Sequence, residues 1–409
     1  MKKIDEMIKQ LCPNGVEMVP LWSVTAWDKK FNAVDKSMQS KIIKYPYLLA
    51  KDLFALDTPE GSIKLLSTGT QSGWTTEEKA GNYLCDGEVV TIPWGKSSKV
   101  INLIKYYKGK FVTADNRIAT SLDKDILNNK YLFYWMLSES DVIDSYYRGA
   151  GIKHPSMYNV LTMQIPLPPL SIQEEIVSVL DKFSELIEKT DEEIALRQKQ
   201  YEYYREKLLT FEDGEVEWKK LGNLCDIVGR IGFRGYTTKD QVPAYTGALS
   251  LSPGNIVDNV MDYSKGTFIT WEKYEESPEI MVYNDDIIFC KTGSTVGKVA
   301  MIKNLPCKAT INPQLVVLKN VNINKKYLYY NLVMKRVQML VTNLAGIGSV
   351  PNISQTKLSL ITIPLPSLSR QQEIVDILDK FEVLISKLKG ERELRQKQYE
   401  YYRDNLLTF

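Results

Sequence analysis

The longest pattern in the chain is a helical seam. From Ile176 the inward positions advance alternately by four and three residues: Ile176, Leu180, Phe183, Ile187, Thr190, Ile194, Arg197, Tyr201, Tyr204, Leu208, Phe211. A second seam runs Ile374, Leu378, Phe381, Ile385, Leu388, Arg392, Arg395, Tyr399, Tyr402, Leu406, Phe409. That alternation keeps one side of a helix facing a partner helix, so each stretch predicts a coiled-coil strand. Pro166 and Pro168, and Pro364 and Pro366 in the second stretch, force extended backbone and block an earlier helical start. Ser171 with Glu174, and Ser369 with Gln372, stand in capping-box register. Arg197 and Arg395 interrupt the apolar seams. Either they pair across the seam with acidic residues and fix register, or the seam opens there toward a partner; register-setting is the preferred reading.

Between the seams the pattern changes. "EVVTIPW" (88–94), "DIIFCK" (286–291) and "PQLVVLK" (313–319) read as buried strands, whereas "NKYLFYWMLSE" (129–139) and "NKKYLYYNLVMKRV" (324–337) read as helices. Each intervening segment is therefore mixed α/β, and the tyrosines of its helices read as core.

Self-comparison explains this alternation. "IPLPPLSIQEEIVSVLDKF" (165–183) lies on "IPLPSLSRQQEIVDILDKF" (363–381), and the match runs ungapped to "RQKQYEYYREKLLTF" (197–211) on "RQKQYEYYRDNLLTF" (395–409). The predicted organisation is an N-terminal helical remnant (1–15), a first head (16–165), a first spacer helix (166–211), a second head (212–363) and a second spacer helix (364–409). A compact domain brings its ends together, so the two helices are expected to run antiparallel with one head at each end. Ile4, Ile8 and Leu11 align with Tyr204, Leu208 and Phe211, as if the chain were a circle broken near Phe409. About forty helical residues reach roughly 60 Å, at most about 18 base pairs of DNA. Two heads on such a spacer suit a DNA site of two half-sites at fixed separation.

Composition narrows the chemistry. The net charge is +2, but residues 16–165 carry 18 basic and 16 acidic side chains and residues 216–363 carry 17 and 11, so the positive excess lies in the heads. Five scattered cysteines without a C-x-x-C pair suit reduced thiols in a cytoplasm, and no membrane or secretory segment is evident. His154 is the one histidine, which leaves little for a zinc site or a histidine-based catalytic device.

With its two "IPLP" junctions and long helices, the chain resembles the specificity subunit of type I restriction–modification enzymes over essentially its whole length. "ADNRIATS" (114–121), "CKTGSTVGKVA" (290–300) and "VPNISQTKL" (350–358) are similar to stretches of that family's target-recognition domains. The resemblance implies a non-catalytic subunit that binds a bipartite double-stranded DNA site with two unlike half-sites and docks two modification subunits. It places S-adenosylmethionine in the modification partner, ATP and Mg in the restriction partner, and no cofactor in this chain.

Catalytic motifs are weak by comparison. "NPQL" (312–315) fails as an adenine-methyltransferase motif. "TGSTVGKV" (292–299) fails as a phosphate loop, with Thr292 where the first glycine belongs and Val299 where Ser or Thr belongs. Its small-residue turn, with amides between Lys291 and Lys298, could meet a DNA phosphate or be a plain hairpin. Asp57, Glu77 and Lys79 approximate a nuclease set, but in a surface-turn context. The candidate DNA contacts are Lys96, Ser97, Lys99, Arg117, Lys153 and His154 in the first head, and Arg230, Arg234, Lys291, Ser294, Lys298 and Ser349 in the second. "GAGIKHPS" (149–156) and "GRIGFRGY" (229–236) are read as glycine-punctuated basic loops able to approach phosphates or bases. The alternative from another class is a pseudo-symmetric coiled-coil scaffold that binds two copies of a protein and no DNA. A third is an enzyme with its own nuclease site at Glu77.

Overall fold

The computed structural model describes residues 2–409 except 97, 213, 231–235 and 347–349. The chain divides into two compact units, Met1–Asp191 with Gly390–Phe409, and Glu192–Lys389. Both long helices form, Leu170–Leu208 and Leu368–Leu406. They start just before the expected caps: the amide of Ile172 donates to the Pro169 carbonyl at 2.8 Å, and the amide of Arg370 to Ser367 Oγ at 3.3 Å. Ser171 and Ser369 therefore lie within the first turn, and Pro169 and Ser367 precede it.

In the first unit one sheet orders its strands Thr25–Trp27, Asn116–Ser121, Cys85–Pro93, Lys105–Ala114, Ile63–Leu66 and Gly73–Thr75, with Tyr47–Leu48 added beside Lys105–Ala114. The second unit has two larger sheets. One orders Asp226–Val228, Leu315–Lys319, Ile287–Cys290 and Val299–Met301; the other holds Ala248–Leu251 between Thr267–Ile269 and Ala309–Ile311. The ends of each head are pinned by an antiparallel ladder, Met18–Pro20 on Gln164–Pro166 and Glu217–Lys220 on Thr362–Leu365. The two anticipated head helices are present, Asn129–Ser138 and Lys325–Leu332, but the second run breaks at Val333 and Met334 and resumes as Lys335–Ala345.

Each head is fastened to its long helix by the same contacts. Asn128 caps its helix by accepting from the Lys130 and Tyr131 amides, as Asn324 does from the Tyr327 amide. This directs Tyr131 and Tyr327 at the junction, where their hydroxyls donate to the Pro166 and Pro364 carbonyls, each at 2.9 Å. One turn on, Tyr134 and Tyr330 donate to Asp181 and Asp379, each at 2.6 Å. Lys130 and Lys326 complete the carboxylates at 2.7 and 2.6 Å. Gln173 and Gln371, fully buried, accept the Asn128 and Asn324 amides and donate to Pro168 and Pro366. These four tyrosines are core, as their sequence setting suggested.

The upper seam serves the heads as well as the helices. Ile176 and Leu180 lie in the core of the first head, and Ile374 and Leu378 in that of the second. Further along, Phe183 stacks on Tyr402 at 5.0 Å in the first unit and Phe381 on Tyr204 at 5.4 Å in the second, the same pair with the copies exchanged. Within the first unit Arg392 meets Asp191 at 3.1 Å, so numbering rises on one helix as it falls on the other. Ile187, Tyr399 and Leu406 are buried, whereas Ile194, Tyr201, Leu208 and Ile385 are half-buried. Arg197 and Arg395 do not pair across the seam: they bond Glu193 and Glu391 one turn back on their own helices, which satisfies a long side chain locally. The cross-helix ion pair belongs to Arg392 instead. The N-terminal helix Lys2–Leu11 packs Ile4 into the core that contains Leu406 and Leu407, with Leu11 exposed. Among the described residues no helix is long and apolar enough to cross a membrane.

Replacing Tyr134 with Phe removes a hydrogen bond to a charged group without opening a cavity. Urea unfolding should show the first unit destabilised by about 1–2 kcal/mol. An unchanged transition would mean the contact does not hold the head.

Candidate nucleic-acid interface

The strand directions of the first sheet bring several loops to one end. Lys29 pairs with Asp115 at 2.6 Å, Asn116 Nδ2 donates to the Leu66 carbonyl at 2.9 Å, and the Trp94 amide donates to the Asp115 carbonyl at 3.3 Å. Lys96 bridges to Lys153 in antiparallel fashion, its amide donating to the Lys153 carbonyl at 3.2 Å. The segments around 29, 67–72, 94–96, 98–99, 115 and 149–154 thus form one rim. At Gly95 a Cβ would lie 2.6 Å from Ile152 Cγ2, so a larger residue would have to displace that side chain.

Within the rim, charge is sorted by depth. Arg117 is buried: its guanidinium lies 4.0 Å over the Trp94 ring, 3.0 Å from Asp115 and 3.9 Å from Asp28. Burial alone would raise the Asp115 carboxyl, but Lys29 and Arg117 hold it below its ordinary range. Asp28 is enclosed more deeply, and desolvation outweighs its bond from the Ile118 amide and the nearby Arg117, so it is pushed up to about 6. Lys96 is turned inward onto Asp144 and over the Tyr147 ring at 5.0 Å. Lys96 and Arg117 therefore build the rim's wall, because their charges are paired inside it. Lys99, Lys153 and His154 remain on the surface, with Arg148, which the sequence reading passed over. The exposed "TGTQS" loop (68–72) was also passed over; only its place at the strand end, visible in three dimensions, identifies it.

The second head repeats the plan with other residues. Thr292 bridges to Asn352, its hydroxyl donating to Asn352 Oδ1 at 2.7 Å, and the Gly293 amide donates to the Pro351 carbonyl at 2.9 Å. Residues 291–298 form a hairpin turn between the strands Ile287–Cys290 and Val299–Met301, with Gly293 and Gly297 at positive φ. A strand, not a helix, follows Lys298, so the turn lacks the helix N-terminus a phosphate loop needs. The amides of Val296, Gly297 and Lys298 are bonded within the hairpin, which favours the plain turn over an amide cradle. Lys298 Nζ donates to the Ile256 carbonyl at 2.9 Å, and buried Arg230 Nε to the Ile311 carbonyl at 3.1 Å; both fasten loops. Lys291 is half-buried and Ser294 exposed on the turn. Ser97, Arg234 and Ser349 lie outside the described residues.

The Asp57, Glu77 and Lys79 set is occupied structurally. Asp57 accepts the Trp74 amide at 3.1 Å, Glu77 pairs with Lys110, and Lys79 donates to Thr58 Oγ1 at 2.7 Å. Among the described residues no three acidic, histidine or cysteine side chains converge as a metal site.

Comparison with known proteins places these features in one family. The model of the type I restriction modification DNA specificity domain matches residues 41–196 and again 214–395. The chain is 34% identical over 307 residues, 72% of its length and 74% of the relative's, to the type I restriction enzyme EcoR124I/EcoR124II specificity subunit of Escherichia coli. It is 30% identical over 351 residues, 80% of its length and 84% of the relative's, to a putative type I restriction enzyme specificity subunit of Haemophilus influenzae. The crystal structure of a type I restriction-modification system S subunit from M. genitalium shares the fold, with a TM-score of 0.60 at 15% identity over 97% of both chains.

Asp28 gives a pH signature. Its folded pKa lies above the ordinary 3.8, so its favourable contribution is full below about pH 4 and is lost as pH rises through about 6. Asp28→Asn, which keeps an acceptor for the Ile118 amide, should flatten the fall in unfolding free energy between pH 4 and 6.5 by on the order of 2 kcal/mol. Parallel profiles for the two proteins would contradict the assignment.

Proposed function

The chain belongs to the type I restriction modification DNA specificity family, and on that premise we propose that its two loop rims each read one half of a bipartite duplex site. The observation that carries this reading is the contrast between the heads. Their fastenings to the long helices are the same residue by residue, while their rims present different side chains: Lys99, Arg148, Lys153 and His154 in one, Lys291, Thr292, Ser294 and Asn352 in the other. Cations at the rims, exposed in the first and half-buried in the second, supply the sequence-independent attraction to phosphates, and the polar groups between them discriminate base edges. Two unlike rims imply two unlike half-sites.

The long helices serve as the spacer between heads. At 39 residues each is about 58 Å long. The stacked Phe–Tyr pairs recur in each unit with the copies exchanged, which supports an antiparallel coiled coil with a pseudo-two-fold relation. Such a relation offers the same surface twice and suits two modification subunits, with restriction subunits joining in the full complex. The chain itself performs no catalysis. S-adenosylmethionine serves the modification partner, and ATP with Mg the restriction partner. The work is done in the cytoplasm, where the DNA is.

Selection from a random duplex pool, using the chain with its modification subunit, tests this reading. The expected product is two unlike half-sites at one fixed unread gap, bound with a steep salt dependence. A well-folded complex that enriches nothing would overturn it and favour a protein scaffold.

A further inference from the structure

If the first rim reads DNA, one of its side chains already has one ring nitrogen engaged and the other presented outward. His154 is exposed, and its ring lies against Trp94 with centroids 4.6 Å apart and planes tilted by 33°. Nδ1 lies 2.9 Å from the Trp94 carbonyl oxygen. A carbonyl can only accept, so Nδ1 must carry the proton. A ring that carries no second proton is thereby held as one tautomer, with the Nε2 lone pair free to accept. No described residue bonds Nε2.

The surroundings hold the ring in place. Trp94 carries the Arg117 guanidinium at 4.0 Å, and Arg117 is locked by Asp115 and the Asn116 carbonyl. The loop that bears His154 is tied to the turn after Trp94 by the Lys96–Lys153 bridge, with the absent side chain of Gly95 leaving room for it. A hypothetical Cβ at Gly95 would stand 3.7 Å from His154 Cε1. An exposed group with a fixed acceptor on a braced aromatic platform, next to exposed Lys153, is preorganised for recognition and adds nothing evident to the core.

We infer that His154 determines one base of the first half-site by accepting a hydrogen bond at Nε2, selecting a base that offers an exocyclic amine in the major groove. Adenine N6 and cytosine N4 are such donors; guanine and thymine present acceptors at the same edge. The inference rests on the DNA-reading function proposed above and goes beyond it by assigning an atom and a donor class.

The test is the same duplex selection, run with the full chain and its modification subunit for the unaltered protein, His154→Phe and His154→Gln. Phenylalanine keeps a ring on Trp94 and removes the acceptor. It should relax discrimination at one position of one half-site by roughly tenfold or more, leaving the gap and the other half-site unchanged. Glutamine restores an acceptor and should restore preference for an amine-bearing base. If His154→Phe leaves every position unchanged, or if its whole half-site fades and glutamine does not restore it, His154 is not a base reader. Relaxation at a position that selects guanine or thymine in the unaltered protein would also overturn the inference. Failure of the unaltered protein to select any bipartite site would instead refute the function on which it rests.

Discussion

A tyrosine hydroxyl on a carboxylate, Tyr134 on Asp181 and again Tyr330 on Asp379, is the contact on which the arrangement of each unit depends. It joins a helix that packs on a head's sheet to the long helix that leaves it. The neighbouring bonds from Tyr131 and Tyr327 to the junction carbonyls, and from Gln173 and Gln371 to the cap and the proline turn, remove the remaining freedom of that joint. The tyrosines and glutamines are withdrawn from water while the two aspartates stay partly exposed, so an unmade bond would leave a buried hydroxyl or amide unsatisfied. The buried bonds therefore favour this geometry of the joint. Since the sheet is covered by the clamped helix, the orientation of the rim relative to its own long-helix segment follows from it.

The rim in turn depends on how its charges are sorted. Arg117 and Lys96 are paired with Asp115 and Asp144 inside the wall, where they brace loops, and Lys153 and His154 are left facing outward. A loop built this way can vary at its surface while its support stays constant. The second head shows the same principle with different chemistry: Lys298 and Arg230 bond backbone carbonyls, and Ser294 stands outside. Constancy of the joint and variation of the rim are what a family of DNA readers with differing targets requires.

Much of this was legible in the sequence, and what was missed has identifiable physical causes. Long-range identity between 165–211 and 363–409 and the four-three spacing marked both helices, because helical periodicity is written locally. The head tyrosines were identified as core for the same reason. Arg197 and Arg395 were assigned a role across the seam that Arg392 holds, since spacing says which face a residue occupies but not whether a glutamate one turn back will satisfy it first. The loop candidates were chosen by residue type. Type alone cannot distinguish Lys153 on the surface from Lys96 beneath it, because the difference arises from Asp144, nearly fifty residues away in sequence. Arg148 and the 68–72 loop escaped notice because no local pattern marks the end of a strand that happens to share a rim.

In the proposed function the two helices set the distance between the sites the heads read. Inserting one heptad in register into both helices, and repeating the duplex selection, addresses it most directly. The account predicts a gap longer by about three base pairs with both half-sites intact. An unchanged gap, or an altered half-site, would contradict it.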